Sequence, residues 1–105
     1  MATSTPWGES QYADIHVRGL VTYATASHGG IKVARSLQDK LSEYTKNHGI
    51  KKDTALWYEE DLDYLLPLYE LSKYPDIRTA LESSYRIPTL DDIKKCFSDY
   101  PDEVL

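Results

Sequence analysis

Two short runs on either side of one glycine constrain this chain most. Tyr12–Val17 and residues 20–25 are rich in β-branched and aromatic residues, and Arg18-Gly19 separates them. Such residues favour extended backbone, and glycine accepts the positive φ of a tight turn, so the pair predicts a β-hairpin. Alternation puts Tyr12, Asp14 and His16 on one face and Ala13, Ile15 and Val17 on the other. In the second run Val21, Tyr23 and Thr25 oppose Leu20, Thr22 and Ala24. A two-stranded ribbon is marginal by itself in water, so the rest of the chain has to cover it.

Downstream the period changes. Residues 31–33 read as a short third strand. Val33, Leu37, Leu41 and Tyr44 recur at near four-residue spacing and predict a helix over residues 34–48. Ser36 with Asp39 caps it, or Ala34 begins it less well; Gly49 ends it as a C′ residue, with Lys46 and His48 in the last turn. Leu62, Leu65, Leu66 and Tyr69 predict a second helix starting near Trp57 or Tyr58. That start puts Glu59, Glu60 and Asp61 in a first turn, where carboxylates favour the positive end of the helix dipole. Pro67 predicts a kink or a restart. Pro75 opens another helix to about Tyr85, and Thr89 with Asp92 caps a last one that stops before Pro101. The expected fold is α+β: a small N-terminal antiparallel sheet, the hairpin plus a short third strand, packed by four to five helices. Residues 1–10 read as a flexible polar leader in which Trp7 packs on the domain, and residues 11–105 as a single α+β domain.

At 105 residues, with 41% hydrophobic and 28% charged residues, the composition is that of one ordinary globular domain. The one cysteine, Cys96, excludes an internal disulfide and a cysteine-based zinc site. Residues 1–7 lack a basic start and an apolar run, and no stretch approaches the roughly 18 apolar residues of a membrane span. A cytoplasmic protein is expected, with no cofactor and no metal.

Two strings stand out, Thr25-Ala26-Ser27-His28-Gly29-Gly30-Ile31 and Trp57-Tyr58-Glu59-Glu60-Asp61. With Trp7-Gly8 they resemble an uncharacterised family of small domains found in plasmid and bacteriophage genes. The resemblance covers residues 6–69, departs at Ala34 where the family tends to have a capping serine, and implies a mobile-element origin without a mechanism. On the residues themselves, His28 with Glu59, Glu60 and Asp61 has the makings of a general acid/base or metal site. The alternative is that His28, Gly29 and Gly30 with Trp57, Tyr58 and the three acids form a structural signature, the imidazole bonded to a carboxylate.

Charge is uneven along the chain. Residues 1–52 hold seven Lys and Arg against four Asp and Glu, while residues 53–105 hold five against thirteen. Six of the nine tyrosines fall in the acidic half. A surface of Tyr85, Asp91, Asp92, Asp99, Tyr100, Asp102 and Glu103 is therefore expected to bind a partner. The complementary partner is a host protein with a cationic groove that normally holds nucleic acid, as in CRISPR or restriction machinery, while direct nucleic-acid binding is disfavoured. A small enzyme or metal-binding domain built on His28, Glu59, Glu60 and Asp61 is the competing expectation.

Overall fold

A computed structural model describes residues 3–101. The predicted hairpin is present as β3 (Tyr12–Val17) and β4 (Leu20–Ala24), turning at Gly19 with φ 92°. Before it, β1 (Ser4–Thr5) and β2 (Gly8–Glu9) pair as a small ribbon of their own, in the region expected to be a leader. After it come β5 (Gly29–Val33), a 3-10 helix (Arg35–Lys40), α1 (Glu43–His48), β6 (Ile50–Lys52), β7 (Ala55–Glu59), α2 (Leu65–Leu71), α3 (Pro75–Glu82) and α4 (Leu90–Cys96).

The expected small N-terminal sheet is corrected by this topology. Five antiparallel strands, in the order β3-β4-β5-β7-β6, form the sheet, and they run on to Glu59. The class is still broadly α+β. The main error lies at Trp57-Tyr58, which belong to strand β7 and not to a helix start. Ala55, Leu56, Trp57 and Tyr58 are all buried, because β7 is covered on both faces. A strand buried on both sides has no polar alternation to announce it. Glu59 therefore ends a strand, and Glu60 and Asp61 sit in the turn that follows.

The predicted long helix over residues 34–48 is likewise broken. Ala34 has no side chain with which to cap, and the 3-10 helix ends in extended backbone at Leu41. Ser42 restarts the chain as the N-cap of α1, its Oγ accepting from the Thr45 amide at 3.2 Å. Gly49 closes α1 with an ordinary φ of −77°, not the left-handed form. Pro67 causes no kink because it is the third residue of α2, where the missing N–H had no intrahelical partner. Pro75 starts α3, and Thr89 with Asp92 forms a reciprocal capping box on α4, both as predicted.

The sheet's inner face carries the main core. Leu20, Ile31, Val33, Leu56 and Tyr58 meet Leu68, Leu71, Ile77 and Leu81 from α2 and α3. A second cluster of Leu66, Ile93, Phe97 and Tyr100 joins α2 to α4. On the outer face, Trp7 stands edge-on to Trp57, with ring centroids 6.0 Å apart, so Trp57 is 1% exposed.

The β6–β7 hairpin turns through Asp53 and Thr54, both left-handed at φ 53° and 63°. Two consecutive positive φ values make a type I′ turn, a conformation that favours glycine at the second position and strains a β-branched residue. Thr54→Gly should therefore stabilise the fold by about 1 kcal/mol. Equilibrium urea unfolding checks this, and a loss of stability would contradict the turn.

Candidate functional site

The two signature strings meet because their strands pair. β5 and β7 are antiparallel neighbours, in the register Gly30↔Glu59, Ile31↔Tyr58 and Lys32↔Trp57. The start of the first string is a turn closed by Thr25. Its Oγ1 accepts from the His28 amide at 3.0 Å and donates to the His28 carbonyl at 2.8 Å. This holds the imidazole over the end of β7, where His28 Nδ1 lies 3.3 Å from Glu59 Oε2.

Close approach explains the glycines. A side chain on Gly30 would run into the Trp7 indole on one side and the Tyr58 carbonyl on the other. At Gly29 a Cβ would lie 2.6 Å from Glu60 Oε2 and 2.9 Å from the Tyr23 carbonyl. The Glu60 amide donates to the Gly29 carbonyl at 2.9 Å. Trp7, the double glycine and the Trp57 strand thus lock the N-terminal ribbon, the hairpin and β7 together.

Of the four residues expected to converge, the structure brings only His28 and Glu59 into contact. His28, Glu60 and Asp61 are exposed. Among the described residues no group of three or more His, Cys, Asp or Glu stands close enough to hold a metal ion.

The expected partner surface divides. Tyr100 is 4% exposed and donates its hydroxyl to Glu70 at 2.6 Å, so it is a core residue and not a contact residue. Asp92 is engaged by the capping box and lies 3.6 Å from Arg86, and its carboxyl is held below the usual range by hydrogen bonds from Thr89. Asp99 accepts from Tyr44 at 2.6 Å; that bond lowers its pKa, while burial and the same bond push Tyr44 up to about 12. Asp91 is exposed at the start of α4. Asp102 and Glu103 lie outside the described residues.

Tyr85 is half-buried and sits elsewhere, over the sheet. His16 Nε2, Thr22 Oγ1 and the Tyr85 hydroxyl form a chain of 2.7 and 2.6 Å contacts. Burial lowers the His16 pKa against the opposing pull of Asp14, and burial raises that of Tyr85. Tyr64 packs on Tyr85, and the charges of Asp14 and Glu60 both reach it. The carboxylates near this tyrosine pair are thus Asp14 and Glu60, neither of them in the expected partner set. A groove of about 370 Å³ is lined by both rings together with Leu65, Pro88, Arg86 and Lys95.

The sequence also hid Glu70, which is fully buried in α2. It accepts from the Ser42 amide and hydroxyl at 2.8 and 2.7 Å, from Thr45 Oγ1 at 2.9 Å and from Tyr100 at 2.6 Å. The signal that marks it is its place four residues after Leu66, on the buried stripe of α2.

Fold and site define a small α+β domain whose signature residues chiefly hold strands together. The chain belongs to the family described as Domain of unknown function (DUF7007), which matches residues 1–102. No curated protein matches it. No solved structure matches it either.

If the signature works by close packing, the glycine matters more than the histidine. Gly30→Ala should cost roughly 1–3 kcal/mol of stability from overpacking. His28→Ala should cost less than about 1 kcal/mol, because its partner contact is half exposed. Urea unfolding of both variants decides, and the reverse order would contradict the packing.

Proposed function

We propose that this is a non-catalytic accessory protein of a phage or plasmid. In this reading it binds and blocks a host protein that handles nucleic acid, in the manner of an anti-CRISPR or anti-restriction factor. The supporting observation is where the carboxylates lie. Glu70 is the one buried acid among the described residues, and the other described acids are exposed or half-exposed. Glu60, Asp61, Asp76 and Asp91 are exposed and make no ion pair among the described residues.

The contact surface in this proposal is centred on Asp14 and Glu60, whose charges reach Tyr85 beside Tyr64, with the exposed Asp61 next in the chain. Carboxylates there attract a groove lined with Lys and Arg and speed the encounter. Half-buried tyrosines add rigid contact area with a hydroxyl for hydrogen bonding. The mobile-element origin draws on the resemblance of the Trp7-Gly8, His28 and Trp57 strings. No helix of the described residues is long and apolar enough to cross a membrane.

Capture from lysate of a bacterial host tests the reading. The expected catch is a nucleic-acid-handling protein whose affinity falls at least about tenfold between low and high salt. Glu60→Lys with Asp61→Lys should slow association by a similar factor while leaving the fold intact. Salt-insensitive binding, or a doubly reversed variant that binds as fast as the parent, would contradict it.

A further inference from the structure

The acidic half of the chain holds few cations, and two of them line one groove. Residues 53–105 contain Lys73, Arg78, Arg86, Lys94 and Lys95 against thirteen Asp and Glu. Lys73 lies over the Tyr69 ring at 4.8 Å, and Arg78 is paired with Glu82 at 3.2 Å. Arg86 and Lys95 instead line the groove of about 370 Å³ that Tyr64 and Tyr85 share. That volume falls in the range of small-molecule sites, roughly 300–1,000 Å³.

The groove combines apolar surface with charge. Tyr64, Leu65, Tyr85 and Pro88 supply the apolar part. Tyr85 is fixed there in advance: its hydroxyl is 2.6 Å from Thr22 Oγ1, and its ring packs on Tyr64 with centroids 5.8 Å apart. Pro88 is buried and adds a rigid ring. Such surfaces suit a flat aromatic body, because ring–ring contacts add to the area they bury.

Arg86 is the cation with capacity to spare. Its Nη2 lies 3.6 Å from Asp92 Oδ2, longer than a hydrogen bond, and its side chain is 80% exposed. The same Asp92 oxygen already accepts from the Thr89 amide at 2.8 Å. The guanidinium donors are therefore open to a second acceptor. Lys95 is exposed and makes no ion pair among the described residues. Arg86 and Lys95 against Asp92 leave the groove one net positive charge, in a chain whose net charge is −5. We infer that this groove binds a small aromatic carboxylate, its ring against Tyr64, Tyr85 and Pro88 and its carboxylate on the Arg86 guanidinium.

Charge selects the carboxylate. A carboxylate is a monoanion and matches the single net charge, and a guanidinium fork takes it through two parallel N–H···O bonds. A phosphate monoester brings nearly two negative charges, and the second meets Asp92 unbalanced. A nucleic-acid strand is repelled by the negative charge of the rest of the chain. The inference does not rest on the host-protein reading, whose carboxylates, Asp14 and Glu60, do not line this groove.

Naphthaleneacetate is the probe, with naphthaleneacetamide and naphthyl phosphate as its neutral and doubly charged counterparts. Isothermal titration of the full chain should give a Kd of about 1 mM or tighter for naphthaleneacetate, as expected of a fragment this small. The amide should bind at least about tenfold more weakly, the size of effect a charge-assisted hydrogen bond carries. Arg86→Gln should cause the same loss for the carboxylate and none for the amide, with an unchanged melting curve because the side chain is exposed. Cys96 reports the place of binding, since it lines the groove, is exposed and is the one thiol in the chain. Saturating naphthaleneacetate should slow its alkylation by N-ethylmaleimide. Equal affinity for carboxylate and amide, tighter binding of the phosphate, or an Arg86→Gln variant that binds like the parent overturns the inference. So does Cys96 alkylation unaffected by the bound probe, or no binding at about 10 mM.

Discussion

One buried carboxylate joins segments that would otherwise drift apart. Glu70 has no contact with solvent, and four donors surround it. Two come from Ser42 and one from Thr45, which fixes the start of α1. The fourth comes from Tyr100, which anchors the chain beyond α4. Tyr58 brings in the sheet, donating its hydroxyl to the Thr45 carbonyl at 2.7 Å. Taking a charged group out of water costs several kcal/mol unless its lone pairs are occupied. Here they are, and no described buried side-chain polar atom lacks a partner. The hydroxyls of Tyr58 and Tyr100 keep their protons well above the usual range, because of burial first and the nearby carboxylate second.

Glu70 secures the helical side of the domain, and the two signature strings secure the sheet. Their common purpose is visible in the pairing of β5 with β7. Gly30 exists so that Trp7 can lie on the sheet, and Trp7 in turn buries Trp57. His28 and Glu59 trim the edge of this arrangement more than they hold it. With the interior committed in this way, the acids near Tyr64 and Tyr85 at the periphery are the surface on which the proposed function draws.

Elements dictated by neighbours in sequence were legible. The β3–β4 hairpin needs only its residue pattern and Gly19, α3 needs Pro75, and α4 needs Thr89 with Asp92. Elements dictated from a distance were not. β7 is buried by Trp7 on one face and by the helices on the other, so its apolar run carries no period, and the acids after it imitate a helix start. The break at Leu41 depends on Glu70, which lies 28 residues after Ser42. Counting charge along the chain located an acidic half but not its faces. It put Tyr100 on a surface when that ring is core, and it gave no sign that the Asp92 carboxylate caps α4 through Thr89 and faces Arg86.

The dependence of the domain on Glu70 is tested most directly by Glu70→Gln. The change keeps the shape and opens no cavity, but it turns one oxygen into a donor facing groups that also donate. Equilibrium urea unfolding should show a loss of roughly 2–4 kcal/mol. Stability within about 0.5 kcal/mol of the parent, a difference ordinary for a surface change, would contradict the central place given to this carboxylate.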